Sequence, residues 1–142
     1  MSLIIRDREP KGAPTCRNIG IENSCGRFVI FLDSDDLLER NRVEQTLKAF
    51  ANNSVDGVVF RGSVFKQTPG DTGRFINKPK PADPLESFLT FDIPWITGSV
   101  SWDRDFLQKH GGWHEGLPIW QDWVFHIQSL LVGAKFSYSD HI

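Results

Sequence analysis

Three aspartates within four positions follow the most apolar run of the chain, which ends with Phe28 to Leu32. Asp33, Asp35 and Asp36 carry like charges that repel one another at neutral pH, and a bound cation would offset that repulsion. Because alternate side chains of a strand share a face, we expect Asp33 and Asp35 to point the same way. Carboxylate oxygens suit Mg²⁺ or Mn²⁺, whose remaining positions are commonly filled by water and substrate phosphates. The spacing therefore predicts a divalent-metal site at Asp33 and Asp35.

A helix cap is an alternative explanation for part of this cluster. Asp35 or Asp36 could cap a helix beginning near Leu37, since aspartate is favoured at helix N-termini. A cap accounts for one of the aspartates, or for two. In open α/β sheets ligands bind at the carboxyl ends of strands, which is where the cluster lies. Both interpretations stay open at this point.

The elements that must position these aspartates are predicted from periodicity and turn residues. Phe28 to Leu32 lacks alternation, which predicts a central parallel strand covered on both faces. Helices are predicted on either side of it, from Pro14 to Ser24 with Gly26 as the C-terminal cap, and from Leu38 to Phe50. A further strand follows at Gly57 to Phe60. This order implies a right-handed parallel crossover, and hence an α/β fold with an open, mostly parallel sheet and flanking helices.

Hydrophobic spacing and turn residues predict further elements along the chain. The helix ending at Phe50 is expected to bury its apolar stripe, Leu38, Val43, Leu47 and Phe50. Additional strands are predicted at Leu3 to Ile5, Ser63 to Lys66, Trp95 to Trp102 and Lys135 to Tyr138. Additional helices are predicted at Pro84 to Phe91, Asp103 to His110, and Trp120 to Leu131, the last ended by Gly133. Residues 67–84 are rich in Pro and Gly and are predicted to be a flexible loop or lid. With 39% hydrophobic residues, the chain is predicted to form one domain, residues 1–142.

Charge and cysteine usage exclude several classes of protein. Sixteen Lys and Arg against 18 Asp and Glu give a net charge of -2, so no basic field favours nucleic acid or a membrane surface. Cys16 and Cys25 would lie roughly 13 Å apart along a helix, too far for a disulfide. Free thiols predict a reducing compartment, and no apolar run approaches the length of a transmembrane helix. A cytoplasmic protein is expected, and whether Met1 to Leu3 is a cloning leader stays open.

The stretch from Lys11 to Asp36 resembles the family 2 glycosyltransferases of GT-A fold. It contains, in the family's order, Gly12, Arg17-Asn18-Ile19-Gly20, Gly26-Arg27-Phe28 and Leu32-Asp33-Ser34-Asp35-Asp36. The second half resembles the family in Gly111-Gly112-Trp113-His114-Glu115 and Gln121-Asp122-Trp123, so the resemblance runs from about residue 4 to 139. Thr15-Cys16, His114 and Gln121 depart from the usual pattern.

Haloacid-dehalogenase-like phosphatases also place Asp-x-Asp after a buried strand. They commonly have glycine or threonine where this chain has Asp36. They also need a later lysine and a downstream acidic pair, and the sequence places neither. The phosphatase is therefore the weaker match.

The resemblance implies a metal-dependent, inverting transfer of a sugar from a nucleotide-sugar donor, most simply a UDP-sugar, to a sugar or glycoconjugate acceptor. Asp35, with Asp33, would hold Mn²⁺ or Mg²⁺ against the donor diphosphate. Asp33 alternatively faces the ribose. Asp122 would be the general base, the alternative being an aspartate that only stabilises a helix N-terminus.

Further binding roles are implied for the first helix. Gly12 would approach phosphate through backbone N–H groups at the helix start. Arg17 would add a positive charge toward the nucleotide, or would pair with a local carboxylate. Asn18 and Gly20 are expected to be structural, through a local hydrogen bond and close helix packing respectively.

The tryptophans are expected to divide between acceptor contact and core. All five lie between Trp95 and Trp123. We expect Trp113 or Trp120 to contact the acceptor, and Trp102 and Trp123 to pack.

The resemblance also implies a domain truncated at its N-terminus. Family members usually begin with a strand leading to the nucleotide-base loop, a helix, and a strand ending in an Asp-Asp-Gly-Ser-like motif, which this sequence does not contain. The sheet would then have an exposed edge, through which a homodimer could form. A noncatalytic sugar- or nucleotide-binding or interaction domain of the same fold is the alternative function.

Overall fold

The structure, a computed structural model, describes residues 4, 9, 12–77 and 80–142. Except for Ile4, the strand predicted at Leu3 to Ile5 lies outside the described residues, as does Met1 to Leu3. The elements in chain order are α1 (Ala13–Asn23), β1 (Phe28–Ile30), α2 (Arg42–Asn52), β2 (Gly57–Phe60), β3 (Gly62–Val64), β4 (Arg74–Ile76), α3 (Pro84–Leu89), a 3₁₀ turn (Thr97–Ser99), β5 (Val100–Asp103), α4 (Arg104–His110), α5 (Gln121–Leu131) and β6 (Phe136–Ser139). No helix in the described ranges is both long and apolar enough to cross a membrane.

A four-stranded mixed sheet in the order β1-β5-β2-β6 forms the centre of the molecule. β5 runs antiparallel to β1 and to β2, whereas β2 and β6 are parallel. Three of the four strands therefore share one direction, which confirms the predicted α/β class with a mostly parallel sheet. Gly57 faces Phe136 in this register, and a Cβ on Gly57 would lie 2.7 Å from the Phe136 ring. Only glycine allows the two strands this close an approach.

Hydrophobic clusters cover both faces of this sheet. The larger one joins the sheet to α1, α4 and α5 through Trp102 in β5 and residues such as Ile21, Leu107 and Phe125. The smaller one joins Val58 and Phe60 of β2 to Phe50 of α2. Two helical layers on one sheet explain why the short strands are nevertheless well buried.

The prediction that Phe28 to Leu32 is a central parallel strand is wrong. β1 has three residues and pairs, within the described chain, with β5 alone and in antiparallel orientation. An apolar run does not distinguish a strand buried on both faces from one that is half buried and leads into a loop. Here Phe31 leaves the strand but still packs in the core, with 9% of its surface exposed.

The predicted buried stripe of the second helix is also wrong, except at Phe50. α2 begins at Arg42 rather than Leu38, and its buried residues are Arg42, Thr46 and Phe50. Leu38, Val43 and Leu47 are 36%, 61% and 54% exposed. The guanidinium of Arg42 lies 3.9 Å from the Phe60 ring centroid and donates to the Ser99 carbonyl at 3.0 Å. Polar side chains with partners on the sheet thus displace the apolar stripe by one residue, about 100° around the helix.

The strand predicted at Trp95 to Trp102 begins only at Val100, because Thr97–Ser99 form the 3₁₀ turn, whereas the other boundaries lie close to prediction. β2, α4 and α5 begin within one residue of their predicted starts, α3 ends two residues early, and β6 is shifted by one residue. α1 is not capped by Gly26, because Ser24 already donates its backbone N–H and Oγ to the Ile21 carbonyl. Residues 67–84 contain β4, which pairs with β3, and their role as a lid stays a prediction.

Candidate active site

Arg17 on α1 joins two of the predicted site residues. Its Nη1 donates to Asp122 Oδ1 at 2.5 Å, and its Nη2 donates to Asp33 Oδ1 and Oδ2 at 3.0 and 3.3 Å. Asp33 follows β1 and Asp122 lies in the first turn of α5, so three separate elements meet at one guanidinium. The Arg17 side chain is 9% exposed, whereas those of Asp33 and Asp122 are 51% and 41% exposed. Of the two interpretations of Arg17, the structure shows pairing with carboxylates.

The Trp113 side chain also holds the Asp122 carboxylate. Its Nε1 donates to Asp122 Oδ1 at 2.7 Å, and its ring stacks on Phe125 with centroids 3.8 Å apart. The Arg17 guanidinium lies 5.2 Å from the Trp113 ring centroid. Oδ1 thus has two donors, whereas Oδ2 has none among the described residues. Among the described residues, Asp122 is therefore oriented through one oxygen alone.

Asn18 attaches the Trp113 segment to α1. Its Oδ1 accepts from the Trp113 backbone N–H, and its Nδ2 donates to the Trp113 carbonyl and to Glu115 Oε1, each at 2.8 Å. Asn18 is therefore structural, as predicted, but its partners are remote in sequence rather than local. A Cβ on Gly112 would lie 2.0 Å from Asn18 Oδ1. The expected close packing at Gly20 is wrong, because nothing lies within 4 Å of a Cβ built there.

The acidic turn after β1 has no capping role in α2. The N-cap of α2 is Asn41, well beyond the aspartates, so the helix-cap explanation of Asp35 and Asp36 is wrong. The Asp36 backbone N–H instead donates to the Asp33 carbonyl at 3.1 Å, which closes a turn. Burial, followed by the charges of Asp35 and Asp33, raises the pKa of Asp36. The turn gathers negative charge that no cap explains.

These carboxylates fit a hard divalent cation held partly by a substrate. The described residues contain no group of three or more His, Cys, Asp or Glu side chains arranged to hold a metal by themselves. Mg²⁺ and Mn²⁺ are commonly held by one or two carboxylates, with water and phosphate oxygens as the other ligands. Asp33 and Asp35 lie beyond the end of β1, in an exposed loop and turn rather than on one face of a strand, and their side chains are of the type that such a site uses. A cation at Asp33 would compete with its ion pair to Arg17.

The remaining predicted site residue, Gly12, lies to one side. It precedes α1 with φ of 140°, a conformation that favours glycine. It lines a cleft of about 310 Å³ with Thr15, Glu115 and Gln121. No contact between Gly12 and Arg17, Asp33 or Asp122 occurs in the described structure. Because Gln121 lines this cleft and directly precedes Asp122 in the chain, the cleft lies next to the candidate general base, Asp122.

The tryptophans differ in how much of each side chain is exposed to solvent. Trp102 is 0% exposed, and Trp123 packs against the core and donates to the Phe88 carbonyl at 2.7 Å, so the prediction of packing is confirmed for both. Trp113 is 3% exposed and Trp120 is 54% exposed. Of the two tryptophans expected near an acceptor, Trp120 presents its ring to solvent. Sequence reasoning missed the hydrogen bond from Trp113 to Asp122, which only the packing of the Gly-Gly-Trp turn on α1 creates.

Comparisons with known proteins place this geometry in a family context. Glycosyltransferase GlyA of Streptococcus pneumoniae serotype 4 is 31% identical over 68 residues, which are 48% of this chain and 10% of that protein. WfgD of Escherichia coli, a UDP-Glc:alpha-D-GlcNAc-diphosphoundecaprenol beta-1,3-glucosyltransferase, is 33% identical over 52 residues, 37% of this chain and 21% of that protein. An uncharacterized glycosyltransferase of Rickettsia felis is 38% identical over 47 residues, 33% of this chain and 8% of that protein. The matched segments therefore span 8% to 21% of these relatives.

Structure and family comparisons extend the likeness over most of the chain. The crystal structure of S. aureus TarS 1–349 matches with a TM-score of 0.66 and 17% identity, over 91% of this chain and 38% of that one. This likeness confirms the GT-A type of fold. Residues 2–111 match the family described as Glycosyl transferase family 2, a range that includes Arg17 and the acidic turn and ends before Asp122. The chain therefore belongs to glycosyl transferase family 2.

Proposed function

We propose that this domain transfers a sugar from a nucleotide-sugar donor, most simply a UDP-sugar, to an acceptor hydroxyl with inversion at the anomeric carbon. The observation that supports the proposal best is the bridge through Arg17, which joins Asp33 on the donor side to Asp122 on the acceptor side. Family membership favours a transferase over the phosphatase alternative. Donor, acceptor and metal all belong to the proposal.

Each side chain then has a definite task. Asp35, with Asp33, would hold Mn²⁺ or Mg²⁺, which when bound offsets the charge developing on the leaving diphosphate. Asp122 Oδ2 takes the acceptor proton as the acceptor oxygen bonds to the anomeric carbon. The bond from that carbon to the diphosphate breaks, and its electron pair leaves with the nucleotide. Arg17 and Trp113 keep Asp122 Oδ1 in place, so the base is oriented before the acceptor arrives.

Arg17 also links donor binding to the base. With a cation held at Asp33, Arg17 would lose part of its ion pair to Asp33, and one side of its guanidinium would be free to donate to diphosphate oxygens. The N–H groups at the start of α1, near Gly12, would add further donors to phosphate. The name of WfgD gives UDP-Glc as the donor of that relative, and we extend this donor class to the present chain.

Donor binding is tested by thermal unfolding with Mn²⁺ and UDP, each alone and together. A ligand that binds only the folded state at about a hundred times its Kd raises the unfolding free energy by roughly 2.7 kcal/mol. We expect the combined shift to exceed the sum of the separate shifts, and to disappear in Asp35→Asn. Asp140→Asn, an exposed aspartate outside the acidic turn, is the matched control. An undiminished shift in Asp35→Asn would contradict the metal assignment.

Catalysis is tested by turnover in Asp122→Asn, because removal of a general base costs about 10²- to 10⁴-fold in rate. The variant should retain the shift with Mn²⁺ and UDP while it loses turnover of a panel of UDP-sugars. If the wild-type chain binds donor without turning it over, the noncatalytic sugar-binding domain is the better description. Cytoplasmic location and homodimer formation stay predictions.

A further inference from the structure

A recess of about 290 Å³ opens beside Asp122, and neither Arg17 nor Asp33 is among the residues that line it. Its walls are largely aromatic and include Phe88, Trp95, Trp120 and Trp123. The volume is at the lower end of the range for small-molecule sites, which suits a single sugar ring rather than a long polymer segment. Asp122 is the charged residue among those that line it.

One exposed aromatic side chain lines this recess, and a second exposed aromatic side chain packs against two of its lining residues. Trp120 lines it, and Phe91 contacts Trp120 edge to face with ring centroids 5.5 Å apart. Phe91 also stacks on Trp123, with centroids 5.4 Å apart and an angle of 6° between the rings. Phe91 and Trp120 are 59% and 54% exposed, so neither ring is explained by burial.

Both residues also have an unfavourable backbone conformation. Their φ values are 59° for Phe91 and 62° for Trp120, in the left-handed region that bulky residues rarely adopt. Such strain tends to occur at ligand clamps, where the side-chain position matters more than the local cost. Two strained, exposed, touching aromatic residues next to the candidate base constitute a second observation independent of the recess.

We infer that Phe91 and Trp120 form the binding platform of the acceptor, and that the acceptor presents an uncharged pyranose ring there. This inference rests on the proposed function of Asp122. The C–H face of a pyranose is apolar and packs on an aromatic ring, while its hydroxyls point to the sides, where Asp122 lies. A carboxylate or phosphate in the same place would meet the Asp122 carboxylate, whose Arg17 partner does not line the recess, and the lining contains no Lys or Arg that could bind the anion.

Three polar side chains that line the recess are already paired with one another. Trp95 Nε1 donates to His126 Nδ1 at 3.2 Å, and His126 Nε2 lies 3.4 Å from Thr97 Oγ1. Among the described side chains of the lining, these contacts leave Asp122 Oδ2, the Gln121 amide and the Trp120 indole N–H for sugar hydroxyls. The aromatic pair therefore sets the ring plane, and Asp122 and Gln121 set which hydroxyl faces the donor.

The test is saturation-transfer NMR and tryptophan-fluorescence titration of the 142-residue chain with methyl glycosides. The probes are the methyl β-glycosides of glucose, galactose and N-acetylglucosamine, and methyl β-glucuronide as the matched anion. At least one neutral glycoside should bind, and the glucuronide should bind at least tenfold more weakly than the methyl glucoside. Trp120→Gly should weaken neutral glycosides at least tenfold without loss of folding, because glycine adopts the left-handed conformation freely. Ile119→Ala, which removes a neighbouring exposed side chain, is the control and should change nothing.

Three results would overturn the inference: no neutral glycoside binds, the glucuronide binds equally well, or Trp120→Gly binds as wild type does. An affinity that follows the length of the aglycone, with octyl glucoside far tighter than methyl glucoside, would point to an apolar occupant and would also overturn it. The shift with Mn²⁺ and UDP is measured on the same samples. If that shift occurs and the glycosides fail, only the platform is wrong. If glycosides bind at Trp120 and the shift is absent, the transferase proposal fails and the sugar site stands.

Discussion

At the scale of residues, the site depends on groups that each hold more than one partner. Arg17 pairs with Asp33 and Asp122, and Asn18 pairs with both the backbone of Trp113 and the side chain of Glu115. The planar guanidinium presents several donors in a fixed geometry, which a lysine ammonium cannot reproduce. Both carboxylates are close to half exposed, so the ion pairs contribute little to stability. The ion pairs matter because they fix the positions of Asp33 and Asp122.

The contact between Asn18 and the glycine turn gives a matched pair of predictions at this scale. Gly112→Ala would place a Cβ 2.0 Å from Asn18 Oδ1, so the Asn18–Trp113 hydrogen bonds must break or shift. We expect a loss of about 1–3 kcal/mol in the free energy of unfolding. Gly20→Ala, in the interior of α1 with open space around the Cβ, should gain about 0.5–1 kcal/mol.

Urea denaturation of both variants measures these effects. The opposite signs separate the clash at Gly112 from a general effect of replacing glycine. Equal and small changes in both variants would show that the turn does not pack on Asn18 as described.

At the scale of elements, α2 shows how a helix chooses its buried face. Arg42 donates to the Ser99 carbonyl in the turn before β5, and Thr46 shares a hydrogen bond with Ser101 in β5. Burial lowers the pKa of Arg42 to about 10. Arg42 therefore keeps its charge at neutral pH, and its stacking on Phe60 and its backbone acceptor offset part of the cost of burial. Polar side chains with partners on the sheet outweigh the apolar stripe, although Arg42 Nε itself has no hydrogen-bond partner among the described residues.

This phase of α2 predicts unequal effects along the helix. Leu47→Gln should change the free energy of unfolding by less than about 0.5 kcal/mol, because Leu47 is 54% exposed. Phe50→Ala should cost about 3–5 kcal/mol, because Phe50 is 6% exposed and stacks on Phe28. Chemical denaturation of the two variants measures the difference. A comparable loss in Leu47→Gln would mean that another surface covers Leu47 in solution.

At the scale of the whole molecule, one buried histidine contacts both the aromatic core and the recess beside Asp122. His126 in α5 is 1% exposed and lies between the aromatic core and the recess beside Asp122. Burial, with a smaller contribution from the charge of Arg17, lowers the pKa of His126 to about 3. The folded protein therefore holds this imidazole neutral over the pH range in which the unfolded chain protonates it.

The consequence is an acid-sensitive stability. Because the folded pKa is below the unfolded value near 6.5, the contribution is fully present above pH 6.5 and is lost progressively as pH falls toward 3. Between pH 7 and 5 we expect His126 to account for a loss of about 2 kcal/mol. His126→Phe should be less stable at pH 7, since Trp95 Nε1 loses its acceptor, but its stability should depend less on pH.

Denaturation midpoints at several pH values measure how steeply the free energy of unfolding falls with pH. Leu47→Gln, a substitution at an exposed residue that does not titrate, is the control and should keep the wild-type dependence of stability on pH. An unchanged slope in His126→Phe would assign the acid sensitivity to other groups.

The local sequence was sufficient for much of this protein, and for a physical reason. Helix starts such as Asp103 before α4, the strand Gly57–Phe60, and the family motif around Asp33 depend on neighbours in the chain, whose effects periodicity and capping record. The α/β class and the family follow from these local signals. They predicted Arg17, Asp33 and Asp122 as site residues, although not that one guanidinium would hold both carboxylates.

Only the tertiary structure decided what depends on distant partners. The insertion of β5 between β1 and β2, the burial of Arg42 instead of Val43, and the bonds from Arg17 and Trp113 to Asp122 join residues remote in sequence. Their energies arise from contacts that no window of local sequence contains. The exposed, strained pair Phe91 and Trp120 is of the same kind, because helices α3 and α5 must pack side by side before the two rings can meet.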